Sequence, residues 1–254
     1  MCLLVVAWQV VPGTPILIGA NRDERLDRPA TAMTVLSERE PRVLGGRDHA
    51  SGGTWLAVNE HGVFAGLTNQ PLGDQKDPSR RTRGELPLAL TAGRTASEMV
   101  DRFLNEHEPA DYNGAWLLAG DTESLSFIDF TGVAPATAVP LDPGTYVLEN
   151  RALGAPSPKV DHVLAMLGDL GDPEVALDAV RRVLADHEDL GGGDDTDERR
   201  SLPHCVHLEG YGTRSSCLIR VDDGTLPRLW VADGAPCMTP FAEVKEPWLA
   251  GPLS

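Results

Sequence analysis

An apolar run, Leu3-Leu4-Val5-Val6-Ala7-Trp8, is followed by Pro12-Gly13 and then by a second run, Ile16-Leu17-Ile18-Gly19-Ala20. Two β-rich runs on either side of a Pro-Gly turn read as a hairpin, with strands over 2–10 and 15–20. The rest of the chain has to be built around that hairpin. The first run is only about six residues long, has no cationic lead-in and is broken at Gln9, so it is expected to be neither a signal peptide nor a membrane span.

Cys2 heads the first strand, directly behind Met1. Removal of Met1, which a small second side chain permits, would leave one residue carrying both a thiol and a free α-amine. That amine titrates near about pH 8, far below lysine, and can serve as a built-in base toward the thiol. The competing reading is a small apolar residue that starts a buried strand.

A chain of 254 residues can form one large domain or two small ones, and a single domain over 1–254 is expected. Its 22 basic and 38 acidic residues give a formal charge of −16, relieved only at Arg80-Arg81-Thr82-Arg83 and Arg199-Arg200. Nucleic acid and membranes are therefore not expected partners, whereas a small molecule is. Cysteines at positions 2, 205, 217 and 237 form no CxxC pair and are too few for a disulfide framework, which fits a reduced cytoplasm. No oligomeric state can be read from the sequence.

Further strands are expected over 43–45, 53–58 and 62–68, with Gly45-Gly46 and Asn59-Glu60-His61-Gly62 as punctuation. Apolar spacing predicts helices over 84–93 and 95–106, the second capped by Thr95 or Ser97. Strands return at 114–120, 124–129 and 145–148. Amphipathic stretches at 158–168 and 173–188 form a second helical layer, and strands at 215–221 and 228–232 finish the sheet. Residues 189–203, rich in glycine and acid, have almost nothing to bury and read as a flexible loop inside the domain, a candidate lid. The element order implies sheets covered by helices.

P-loop, HExxH, GxSxG and strand-linked GxGxxG signatures are all missing from the chain. His204-Cys205-Val206-His207 offers metal-capable side chains, but no second pair lies at finger-like spacing and neighbours on an extended chain point to opposite faces. No metal is expected. What survives is a set of polar residues at strand ends. Asn21 and Asp23 share a face next to the Cys2 end of the hairpin, where a carboxylate would orient the amine, although Asn21-Arg22-Asp23-Glu24 also fits a charged turn. Asn69, Asn150 and Arg214 follow or precede other strands, and an Asn amide can donate to a developing oxyanion.

Taken in order, Met1-Cys2, Asn21-Arg22-Asp23-Glu24, Arg28-Pro29, Gly52-Gly53-Thr54-Trp55-Leu56, Leu67-Thr68-Asn69, Arg83-Gly84-Glu85-Leu86, Tyr112-Asn113-Gly114, Pro143-Gly144-Thr145-Tyr146 and Tyr211-Gly212-Thr213-Arg214 closely resemble the NRDE family, also called the Transport and Golgi organisation protein 2 family. The resemblance runs from residue 1 to about 232. More remotely the layout is similar to the cysteine N-terminal nucleophile hydrolases of the choloylglycine hydrolase and penicillin V acylase type. That similarity implies an α+β fold, a four-layer αββα sandwich of two antiparallel sheets between helical layers.

The resemblance also implies roles. Cys2 would be the nucleophile with its own amine as base, Asp23 would orient that amine, Asn69 and Asn150 would form the oxyanion hole, and Arg214 would stabilise the thiolate or the intermediate. Asn21, Arg22, Trp55 and Tyr211 are expected to face the substrate. One departure stands out: the hydrolases carry an arginine where this chain has Ala20, so Arg22 or Arg28 would have to replace it. Two functions follow. One is an amidohydrolase or acyltransferase working on an amide or ester through a Cys2 thioester, with no cofactor. The other is a non-catalytic carrier of haem or of lipid or acyl-CoA, suggested by the family, with Cys2, His61 and Tyr211 as available haem donors. Trp8, Trp55 and Trp116 are candidate pocket walls under either.

Overall fold

The computed structural model describes residues 2–71, 76–132, 135–188 and 203–253. Fourteen strands and four α-helices are found among them. The opening hairpin is β1 (Cys2–Val11) and β2 (Thr14–Arg25). A second group follows: β3 (Ala30–Ser37), β4 (Val43–Asp48), β5 (Leu56–Asn59), β6 (Phe64–Asn69), α1 (Glu85–Leu90), α2 (Ala96–Glu106), β7 (Ala115–Gly120), β8 (Leu125–Phe130) and β9 (Thr137–Pro140). The chain closes with β10 (Gly144–Leu148), α3 (Pro158–Leu167), α4 (Pro173–Leu184), β11 (His207–Leu208), β12 (Tyr211–Val221), β13 (Arg228–Ala232) and β14 (Ala242–Glu243).

Both sheets are antiparallel. The first has the order β10-β1-β2-β12-β13-β14 with β11 paired to β12, and the second runs β3 to β9 in sequence order. Alternation along β1 and β2 assigns each residue to a layer. Leu4, Val6, Trp8, Ile16, Ile18 and Ala20 meet Leu44, Leu56, Val58, Phe64, Trp116 and Leu118 of the other sheet in the central core. Leu3, Val5, Ala7 and Leu17 instead pack on Val163, Leu177, Val180 and Leu184 of α3 and α4. On the far side, Ala65, Leu67 and Leu117 pack on Leu86, Leu90, Val100 and Phe103 of α1 and α2. The result is helices, sheet, sheet, helices, the αββα sandwich expected.

Two glycines permit the close approaches. A Cβ at Gly19 would stand 2.2 Å from Val180 Cγ1, so α4 lies against β2 only because that carbon is missing. At Gly46 a Cβ would be 2.0 Å from the Trp55 ring, which lies over β4. Helix starts follow capping rules: Ser157 accepts from the Val160 amide before Pro158, and Asp172 accepts from Glu174 and Val175 before Pro173.

Several expectations need correction. Thr95 does occupy the N-cap of α2, with extended backbone, but its hydroxyl makes no cap bond; Asp121 Oδ2 instead accepts from the Ala96 amide at 2.6 Å. Strand β2 continues through Arg25 instead of ending at Ala20, since β1 and β12 pair with it on both sides. Strands β3 and β9 were not anticipated. Helix α4 stops at Leu184, earlier than 188. Of the expected loop at 189–203, residues 189–202 lie outside the described residues.

Candidate active site

The register of the hairpin defines the site. Cys2 pairs with Arg22, and Leu3 with Asn21, so Cys2 is one residue in register from Asp23. On the other side β1 pairs with β10 up to Leu4 and Leu148. Carrying that register two residues further brings Cys2 level with Asn150. Cys2 therefore begins a central strand, flanked by Arg22 on one side and the end of β10 on the other.

Asp23 is 4 % exposed, and its Oδ1 accepts a 2.6 Å hydrogen bond from Thr213 Oγ1 of β12. Burial pushes its carboxyl above the ordinary carboxylate range, opposed by the Thr213 bond and by the charges of Lys159 and Arg22. Lys159, on α3, is 4 % exposed, and its Nζ donates to the Pro203 carbonyl at 3.3 Å. Desolvation lowers its pKa, against the attraction of Asp23 and Glu149. Glu149 is 2 % exposed; its Oε1 accepts from Ser157, and Oε2 has no hydrogen-bond partner among the described residues. Asp23, Lys159 and Glu149 thus form a buried line of alternating charge on the helix side of the first sheet.

Arg22 lies on the opposite face of β2 from Asp23. Its guanidinium carbon sits 4.5 Å from the Trp55 ring centroid and its Nη2 donates to Asp48 Oδ2 at 3.0 Å. Arg28 reaches the same Asp48 oxygen at 2.7 Å. Burial alone would raise the Asp48 pKa, but the Arg28 hydrogen bond and the Ser51 amide bring it below the usual value. Arg22 is 4 % exposed and its Nη1 has no hydrogen-bond partner among the described residues, so one buried donor is left over for something else. Ala20, by contrast, is packed in the central core opposite Leu4. The cation nearest Cys2 by register is Arg22.

Asn69 ends β6 in the second sheet, and its carbonyl accepts from Asn150 Nδ2 at 2.6 Å. One residue earlier, Thr68 Oγ1 donates to the Glu149 carbonyl at 2.6 Å. These two bonds tie the sheets together at the Cys2 end. Asn150 is 6 % exposed, with Oδ1 unpartnered among the described residues.

The remaining expected residues are placed differently. Asn21 is fully buried and its Nδ2 donates to the Leu184 and His204 carbonyls at 2.8 and 2.7 Å, while Oδ1 accepts from Ser216 at 2.5 Å. Both amide protons are spent bracing β2, one against the end of α4 and one against the segment that leads into β11. Tyr211 donates from its hydroxyl to the Asp23 carbonyl at 3.1 Å. Arg214 occupies a bulge in β12, between the pairs Thr213–Asp23 and Ser215–Arg22, and its Nη1 donates to the Leu26 carbonyl. Trp8 donates to the Asp121 carbonyl, and the Trp116 indole nitrogen is buried without a partner among the described residues. A broad hollow lined by Gln9, Pro12, Thr122, Glu123 and Asp223 lies at the turn end of the hairpin, a strand's length from this chemistry.

Sequence reasoning missed Thr213, Lys159, Glu149 and Asp48. Thr213 stood inside the quoted Tyr211-Gly212-Thr213-Arg214 motif, whereas Lys159 is a single cation in an amphipathic helix and carries no local signal.

Solved structures with the same layering are found. One is a Caenorhabditis elegans ortholog of N-acylethanolamine-hydrolyzing acid amidase, with a TM-score of 0.55 at 12 % identity over 99 % of this chain and 98 % of that one. Another is a variant of conjugated bile acid hydrolase from Clostridium perfringens, with a TM-score of 0.52 at 13 % identity, covering 98 % of both chains. At such identities the likeness is one of fold, the N-terminal nucleophile hydrolase sandwich. Sequence relatives are nearer. Transport and Golgi organization protein 2 homologs from Bos taurus and Homo sapiens are 30 % and 29 % identical, each over 87 % of this chain and 89 % of the relative. The Transport and Golgi organisation 2 model matches residues 1–226, and the chain belongs to that family.

Proposed function

We propose that the protein is a cysteine N-terminal nucleophile hydrolase or acyltransferase acting on an amide or ester through a thioester on Cys2. The observation that carries the reading is the register: Cys2 heads a central strand between Arg22 and the level of Asn150, with Asp23 one residue away in register. After loss of Met1, the Cys2 α-amine takes the thiol proton and the sulfur forms a bond to the substrate carbonyl carbon. The carbonyl electron pair moves onto oxygen, where amide donors from the Asn69 and Asn150 pair stabilise it. Collapse of that intermediate expels the leaving amine or alcohol, which takes the proton back from the α-ammonium. Water then releases the acid, or a second nucleophile takes the acyl group.

Arg22 supports the reading in a second way. Its Nη1, which has no hydrogen-bond partner among the described residues, supplies a buried cationic donor in place of the arginine that Ala20 removes, and suits a thiolate or an acyl-group oxygen. The name of the amidase neighbour makes an N-acyl amide the first substrate class to try. For haem no observation speaks as directly: the Tyr211 hydroxyl is bonded to the Asp23 carbonyl and His61 lies in the exposed turn between β5 and β6.

The test is intact mass of the purified protein followed by an electrophilic acyl probe, with labelled peptides mapped because Cys237 is also an exposed thiol. Loss of Met1 and labelling at Cys2 that disappears in Cys2→Ala are expected. Retained Met1, or turnover that survives Cys2→Ala, would refute the mechanism.

A further inference from the structure

His187, Cys205, His207 and Cys237 come from three stretches of chain: the segment after α4, the segment entering β11, and the turn after β13. One ligand atom from each lies within 4.8 Å of all the others. Several edges are shorter. Cys205 Sγ is 3.6 Å from Cys237 Sγ and 3.6 Å from His207 Nε2, and His207 Nε2 is 3.2 Å from Cys237 Sγ. A tetrahedral zinc ion, with Zn–S of about 2.3 Å and Zn–N of about 2.0–2.1 Å, has S–S and S–N edges of roughly 3.8 and 3.5 Å. The printed separations fall within a few tenths of an ångström of those edges.

We propose that these four side chains form a structural zinc site of two cysteines and two histidines. When zinc binds, both thiol protons pass to solvent and two Zn–S and two Zn–N bonds form. Two thiolates balance the 2+ charge, so the filled site is neutral. All four positions come from protein, which leaves none for a reacting water and makes the ion a clasp. His187 Nδ1 lies 3.1 Å from the Cys205 carbonyl oxygen, the kind of outer contact that fixes a ligating imidazole's tautomer. Cys205 is buried while the other three are exposed, so an ion has a route in from solvent.

The local backbone explains the convergence. The Cys205 amide donates to the Asp186 carbonyl at 2.9 Å, laying the two stretches side by side. Asp186 and His204, each one residue before a proposed ligand, gather with His162 in a separate group. The alternation that made His204-Cys205-Val206-His207 unpromising thus holds, and the missing pair arrives from His187 and Cys237. Between the two ligands of that stretch, Val206 donates its amide to Thr213 Oγ1 at 2.9 Å and accepts from the Thr213 amide at 2.9 Å. A filled site would hold the strand that backs Thr213. Its existence does not depend on Cys2 chemistry.

Full-length protein, purified with a thiol reductant and without chelator or metal-affinity resin, is tested by elemental analysis and by titration with Co2+. Stoichiometric zinc and the visible d–d absorption of tetrahedral cobalt bound by thiolates are expected. Cys237→Ser and His187→Gln alter exposed side chains, so the fold should survive by circular dichroism. Each should weaken zinc binding by more than the roughly 10–100-fold that loss of an outer-shell partner costs. The proposal is overturned if reduced protein binds neither ion stoichiometrically, if the cobalt spectrum is octahedral, or if both variants bind as the parent does. A Cys205–Cys237 disulfide mapped in zinc-free protein as purified would overturn it as well.

Discussion

The middle and the open end of the β1–β2 hairpin are equally buried yet are built on opposite principles. From Leu4 to Trp8 and from Ile16 to Ala20 the apolar side chains are at most 5 % exposed, and they divide cleanly between two apolar cores. From Asn21 to Asp23 exposure is still at most 4 %, but every side chain is polar or charged. Burying the first set yields on the order of 25 cal/mol per Å². Burying the second costs free energy unless each group is paired, and Arg22 Nη1, Asn150 Oδ1 and Glu149 Oε2 have no hydrogen-bond partner among the described residues. The middle of the hairpin stabilises the fold and its open end draws on that stability, which is the pattern of a site shaped for recognition or chemistry.

The sharpest way to separate the two regions is Asp23→Asn. It keeps the shape and the bond from Thr213 while removing the charge, so Cys2 labelling by the acyl probe should slow by about 10²–10⁴-fold with folding intact. An unchanged labelling rate would detach Asp23 from the chemistry. Ile18→Ala, in the middle, should do the reverse: a loss of about 2–5 kcal/mol in denaturant unfolding, with the labelling rate of the folded protein unaltered. Thr213→Val leaves both the Asp23 carboxylate and the Val206 amide short of a partner and should cost about 1–3 kcal/mol while also slowing labelling. It bridges the two behaviours.

The smallest effect is one of pH. Burial holds the Asp23 carboxyl above its usual 3.8, so the folded chain keeps that proton to higher pH than the unfolded chain does. Its contribution to stability is therefore fully present below 3.8 and is lost as pH rises through the folded value. The stability of Asp23→Asn relative to the parent should accordingly grow across that window and then level off. A flat difference in unfolding free energy would contradict the burial of Asp23.

Sequence pattern revealed the middle of the hairpin far better than its end. Apolar runs at Leu3–Trp8 and Ile16–Ala20 identify the strands unaided, because their periodicity and their burial agree. Asn21-Arg22-Asp23-Glu24 has the composition of an exposed turn, and only pairing by both β1 and β12 makes it strand. Its charges are tolerated there because Lys159 arrives from α3 and Asp48 from β4, residues with no motif to announce them. For Asn69 and Asn150 the sequence pointed to two strand ends, but the 2.6 Å bond that joins them across the sheets is a product of tertiary structure. Strand β9 was lost for a related reason: three of its four positions contain Thr137, Val139 and Pro140, all exposed, so burial leaves little pattern there.

The strand orders have a consequence for biosynthesis. The second sheet is assembled from neighbours in sequence, β3 through β9, so it can close as the chain leaves the ribosome. The first sheet cannot. Its earliest strands wait for β10 on one edge and for β12, which ends at Val221, on the other. Throughout most of translation the nascent hairpin therefore carries two unsatisfied edges and two apolar faces, and this is the interval in which chaperone capture or misassociation would have to be managed.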